Sequence, residues 1–161
     1  MGRLATEHSR SVASGAVGNL GRSGRFATGK LGAVTPTFAD LAKAKYILLT
    51  TFTKDGRPKP TPIWAAADGD RLLAISAGKA WKVKRIRNNP RITLATCNVR
   101  GCATSAGVQG NATILDKLQT GSVYDAICKQ YGIQGRLFNF VSKLRGGMQN
   151  NVGLELRVSG S

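Results

Sequence analysis

The chain has 161 residues, 42% of them hydrophobic, and carries 24 Lys or Arg against 8 Asp or Glu, for a formal charge of +16. That length and apolar content suit one domain with its own core and exclude a wholly disordered chain. With one histidine and three cysteines, no ordinary zinc ligand set can be assembled close in sequence, and the cysteines form no even disulfide framework.

No apolar run approaches the roughly 18 residues that a membrane helix needs. The start of the chain also lacks the long hydrophobic core of a signal peptide, and the absence of an even cysteine framework makes a reducing cytoplasm the expected setting.

Residues 1–36 are rich in Gly, Ser, Ala and Arg and show no steady apolar period, which predicts a flexible basic arm. The domain proper is expected over 37–158, with 159–161 as a short tail. Thr37, followed by Asp40, reads as an N-cap with an acidic group at the third helical position. The short helix it opens runs to about Ala44 and buries Phe38 and Leu41.

Three β-branched apolar runs follow at 46–53, 63–67 and 72–76. Asp55-Gly56 and Asp68-Gly69-Asp70 punctuate them with the positive-φ positions of tight hairpin turns. Between the first two runs, Pro58, Pro60 and Pro62 alternate with Lys59 and Thr61. Prolines at alternate positions force extended backbone and remove ladder donors, so the segment reads either as a protected edge strand or as a backbone wall facing a planar ligand.

Residues 77–80, Ala-Gly-Lys-Ala, are small enough for an anion to approach backbone N–H groups at the start of a helix. That helix is predicted over 81–88, with Val83 and Ile86 inward. Lys82 reaches over its first turn, while Lys84, Arg85 and Arg87 read as a solvated charged face. From Arg71 to Arg100 there are eight Lys or Arg and no acid, a field that attracts anions.

Asn89-Pro90 closes the helix before another strand at 91–97. A further strand is expected at 108–115, where Gly107 and Gly110 read as bulge sites. A helix at 119–131, an apolar-striped helix at 135–144 and a final strand at 152–158, with Glu155 as a lone acid, complete the domain. No Ser-His-acid, Cys-His or paired-carboxylate arrangement is present, so no catalytic side chain is assigned.

The segments YILLTTFTKDGRPKPTPIWAAADGDRLLAIS, AWKVKRIRNNPRITLATCNVRG, VQGNATIL and NVGLELRV, in that order, resemble the pyridoxamine-phosphate-oxidase-like flavin-binding split barrels. Within these they are most similar to the actinobacterial enzymes that use the deazaflavin coenzyme F420. The likeness spans about 38–158, and KVKRIRNNPRITL is its most specific piece.

It implies a mainly β fold, a six-stranded antiparallel split barrel with flanking helices, and a homodimer with the cofactor at the subunit interface. It further implies Ser76 and Lys82 as cofactor-phosphate ligands, Lys79 and Lys84 as helpers, and the backbone of Pro60, Thr61, Pro62 and Ile63 as the wall against the ring. The implied activity is hydride transfer between F420, or alternatively FMN, and a small-molecule electron acceptor.

Trp81 stands where the oxidase proper has an arginine. The oxidase's glutamine and arginine are also replaced in 104–107, which speaks against oxidation of pyridoxamine phosphate. The alternative outside the enzymes is a basic nucleic-acid-binding module gripping through 79–91 and the N-terminal arm, with Trp81, Tyr46 and Phe52 as stacking groups.

Overall fold

A computed structural model describes residues 33–132 and 148–160 of the chain. Helix α1 is Phe38–Lys43, and four strands follow: β1 Ile47–Phe52, β2 Pro58–Ile63, β3 Ala65–Asp68 and β4 Arg71–Ala77. Helix α2 is Trp81–Asn88, leading to β5 Arg91–Thr96, β6 Val108–Ile114, helix α3 Lys117–Tyr131 and, after a 3-10 turn at Met148–Asn150, β7 Asn151–Val158. The helix expected at 135–144 and the arm up to residue 32 lie outside the described residues.

Both hairpins form where the glycines direct. Gly56 takes φ 79° and Gly69 φ 61°, conformations a side chain rarely allows. The capping box at the start of α1 is present, with Thr37 accepting from the Asp40 N–H while the Asp40 carboxylate accepts from the Thr37 N–H.

All seven strands belong to one antiparallel sheet in the order β2-β1-β5-β6-β7-β4-β3. Strands β2 and β3 hold opposite edges of that sheet, yet Trp64 alone separates them in the chain. Successive Cα atoms are about 3.8 Å apart, so Ile63 and Ala65 lie no more than about 7.6 Å from each other. The sheet must therefore curl until its edges meet at Trp64 and part beyond it.

The registers agree with this. Ala65 pairs with Ala74, and one further two-residue step would set Ile63 opposite Ser76, but Ile63 is taken by Ile47 on β1. The expected single strand at 63–67 is thus divided at Trp64, and seven strands stand where six were expected.

Period-two alternation sorts the side chains. Ile47, Leu49, Leu72, Ala74, Ile92, Leu94, Leu154 and Leu156 fill the inside of the curl, and Leu41 from α1 and Ile86 from α2 close onto them. On the outer face Leu73 and Ile75 meet Val123, Tyr124 and Ile127 of α3. Strand β4 is consequently buried on both faces, which explains its unbroken apolar run.

Gly153 lets α3 settle on β7, since a Cβ there would come within 3.0 Å of Val123. The bulge expected at Gly110 is absent, while Gly107 lies just before β6, where the pairing shifts by two residues between Leu94–Val108 and Cys97–Ala103. Strand β6 keeps an unbroken register with both neighbours, and a Cβ would meet Thr93 at 2.5 Å from Gly107 and the Arg157 carbonyl at 2.4 Å from Gly110. Close approach is what demands these glycines.

The two free edges are protected by different chemistry. On β2 the prolines cannot donate to β1, so Lys59, Thr61 and Ile63 carry the ladder, and the carbonyls of Pro58, Pro60 and Pro62 turn outward without any N–H beside them. On β3 the outward groups are claimed by the end of α3. The Ala67 N–H donates to Gln130 Oε1 (2.7 Å), and Tyr131 donates its hydroxyl hydrogen to the Ala65 carbonyl (2.7 Å). The Gln130 amide also donates to the Ala42 carbonyl (3.0 Å), tying α1 to the same edge.

Gln130→Ala is expected to destabilise the fold by about 1 kcal/mol in a denaturant titration and to speed hydrogen exchange at Ala67 selectively. Unchanged exchange at Ala67 would remove this role from Gln130.

Candidate functional site

The turn after β4 is less open than its composition suggests. The Gly78 N–H donates to the Asn150 carbonyl (2.7 Å) and the Ala80 N–H to the Ala77 carbonyl (2.9 Å). A Cβ at Gly78 would lie 2.9 Å from the Asn150 oxygen, so this glycine serves the turn's packing against Asn150.

What stays available is the helix start itself. Ala80 is the N-cap of α2 and has no side chain to cap with, whereas Thr37 caps α1 and Asp116 caps α3. The Val83 N–H turns back to the Ala80 carbonyl (3.0 Å), leaving the Trp81 and Lys82 N–H groups, with the positive end of the helix dipole, as orphan donors.

Around this start the side chains divide. Lys82 is half-buried, and burial first, then the nearby Arg85 charge, hold its pKa below the ordinary lysine value. No salt bridge reaches Lys82 among the described residues. Lys79 is exposed, and so is Lys84, whose Nζ lies 4.5 Å over the Trp81 ring. Ser76 stands at the end of β4 as the strand reading required, but it is 3% exposed and its hydroxyl points at the Ala77 carbonyl, 3.4 Å away.

Arg85 does not belong to the solvated face. It is half-buried, and its Nε donates to Thr51 Oγ1 at 2.8 Å. Thr51 is fully buried. The sequence reading assigns Arg85 to the solvated face rather than to a site, although a signal was there. Lys82 and Arg85 each precede an inward residue, Val83 or Ile86, and so share the margin of the buried stripe.

The acids lie elsewhere. Arg71 bonds Asp68 and Glu155, Arg157 bonds Glu155 and Asp70, and Arg57 pairs with Asp55. Glu155, the lone acid of β7, is held below the usual carboxylate range by Arg157 first and by Arg71. Asp40 and Asp116 cap helices. The cations of α2 are therefore uncompensated among the described residues.

Pro60, Thr61, Pro62 and Ile63 lie on the β2 edge. Pro60 sits opposite Thr50 and Pro62 opposite Leu48, and both are exposed. Ile63 turns into the core, and the period of two sends Thr61 to that same inner side, away from the prolines. The turn around Gly101 lies against Pro62, where a Cβ would touch the proline ring at 3.4 Å. Ile63 ends β2 at the seam by Trp64, and the α2 lysines follow Ser76 within one short turn.

The aromatic platform of a single-strand binder is not assembled. Phe52 is 5% exposed beneath the Arg91 guanidinium, Tyr46 packs on Trp64, and Trp81 alone of the three is exposed.

Three solved structures share the fold at low identity. A conserved hypothetical protein from Mycobacterium tuberculosis is 17% identical with a TM-score of 0.56, over 82% of this chain and 86% of its own. A structure named F420 reductase is 18% identical with a TM-score of 0.52, over 78% and 95%. An FAD-binding protein from Mesorhizobium loti is 20% identical with a TM-score of 0.51, over 74% and 82%. No curated protein matches the chain. The sequence profile described as pyridoxamine 5'-phosphate oxidase matches residues 35–159 of the chain. The curled sheet, the seam at Trp64 and that match together make the chain a member of the pyridoxamine 5'-phosphate oxidase family.

Proposed function

We propose that the protein is an oxidoreductase that binds a phosphorylated flavin or deazaflavin, with coenzyme F420 preferred over FMN, and exchanges hydride with a small organic electron acceptor. One observation carries the reading: the uncapped start of α2, where half-buried Lys82 stands among cations with no ion-paired carboxylate among the described residues. An unpaired cation withdrawn from water is costly, and an anion at an open helix start relieves both defects. Relatives of the same fold named F420 reductase and FAD-binding protein support the class of ligand.

The residues fit such a group. Lys82 and the two orphan N–H groups would hold its phosphate, with Lys79 and Lys84 adding field at the rim and Ser76 backing the strand end. The outward carbonyls of Pro60 and Pro62 would accept from ring N–H groups. When bound, the cofactor supplies the hydride chemistry, and the protein supplies orientation and exclusion of water. The acid-free run from Arg71 to Arg100 suits the polyglutamate tail of F420 better than the bare phosphate of FMN. The prolines close the β2 edge to strand addition but leave most of its side chains exposed, and we infer a homodimer that packs against them.

Three outcomes are expected. In equilibrium titrations of both coenzymes, F420 should bind at least about tenfold more tightly than FMN, with a gap that narrows as salt rises. Equal or tighter FMN binding would make the protein an FMN enzyme.

Lys82→Ala should weaken either cofactor by about 1.5–3 kcal/mol, and Arg87→Ala far less. Above about pH 8, where a phosphate monoester is fully ionised, affinity should fall as Lys82 loses its proton. That fall should begin below the ordinary lysine range, because the folded-state pKa is depressed. The dependence should flatten in Lys82→Ala, and a persistent slope would assign it to another group.

Light scattering at micromolar concentration should report a dimer, and a clean monomer would displace the site from an interface.

A further inference from the structure

Lys82 and Arg85 are three residues apart on α2 and so share a face. Both are half-buried. The Arg85 Nε end is fixed, since it donates to Thr51 Oγ1 at 2.8 Å. Thr51 is itself fully buried, with its own hydrogen directed at the Lys59 carbonyl 3.5 Å away. That arrangement leaves the two terminal amino groups of the guanidinium with no carboxylate in an ion pair among the described residues. A hydrogen bond to one threonine needs no charge, and holding two unpaired cations one turn apart is unfavourable in itself. A shared anion removes the conflict.

We propose that Arg85, held in place by Thr51, is a second ligand of the phosphate ester, so that the anion site is the pair Lys82–Arg85. A guanidinium with its Nε anchored presents its outer amino groups as a planar fork, the geometry that matches phosphate oxygens. The neighbours are less suited. Lys84 is engaged over Trp81, while Lys79 and Arg87 stand exposed. The pair would read the ester's phosphate whatever ring system is attached to it.

This assignment rests on the reading that the start of α2 takes a phosphate ester, and the experiment separates the two. The full-length protein and its Arg85→Gln, Arg87→Gln and Thr51→Val variants are titrated with FMN and with riboflavin, which lacks the phosphate. The ratio of the two dissociation constants isolates the phosphate contribution. Arg85→Gln should shrink that ratio at least about tenfold while riboflavin binding stays within about twofold, and Arg87→Gln should leave the ratio alone. Thr51→Val keeps the shape of the buried side chain and the Arg85 charge. It should shrink the ratio several-fold, and it carries the test if Arg85→Gln folds poorly.

An unchanged ratio in both Arg85→Gln and Thr51→Val, an equal drop in Arg87→Gln, or an equal loss of both ligands would overturn the assignment. If the parent protein binds neither flavin, the FMN reading fails and inorganic phosphate decides. A rise in melting temperature with phosphate over chloride at matched ionic strength, abolished by Arg85→Gln, would uphold the pair. No such rise, or one that survives the substitution, would sink it.

Discussion

Trp64 has to carry the chain from one edge of a seven-stranded sheet to the other in a single step, and much of the molecule follows from that constraint. A sheet forced to curl so tightly has a narrow interior, which small residues at Ala65, Ala74 and Ala112 help the larger leucines and isoleucines to fill. The closing point is itself packed. The Trp64 ring lies 6.1 Å from Tyr46 and 6.0 Å from Tyr131, the latter nearly parallel to it. Tyr131 also bonds the first residue of β3, so the same side chain braces the seam and guards an edge.

Charge is arranged with comparable economy. The acids of β3, of the β3–β4 turn and of β7 lock onto Arg71 and Arg157 on one side of the sheet, and two further acids cap helices. The start of α2 is left as a concentration of positive charge by default. Because Val83 and Ile86 pin the helix to the core, those charges cannot drift apart to lower their repulsion. The field is thereby fixed before any ligand arrives, which is the condition for selective rather than diffuse attraction.

The hairpins, the first helix cap and the inward pair Val83 and Ile86 were legible in the sequence, because each rests on a local rule: a glycine φ, a capping box, a helical period. The edge role of the proline segment was legible for the same reason. The break at Trp64 was not, since nothing in an unbroken apolar run marks where one edge ends and the other begins. Gln130 was invisible as well, because its partners at Ala42 and Ala67 come from distant elements. Arg85 was misread as solvated because composition shows its charge but not Thr51, which lies thirty-four residues away on another strand. For the candidate site residues, their order and the elements that carry them could be read in advance, while the side on which Thr61 and Ser76 point required the registers.

The position of β7 bears on how the chain acquires its shape over time. It is the last strand in chain order, yet it lies inside the sheet between β6 and β4 and pairs Leu72 with Leu156 across eighty-four residues. During synthesis, the described strands before it can form only two separate pieces, a β3–β4 hairpin and a β2-β1-β5-β6 ribbon, each with one unsatisfied margin. The join waits for the final segment to emerge, and long-range pairings of this kind are slow. Sealing the outer margins with prolines on one side and α3 on the other leaves only the β4 and β6 margins exposed, so a partner strand can add only where β7 itself belongs.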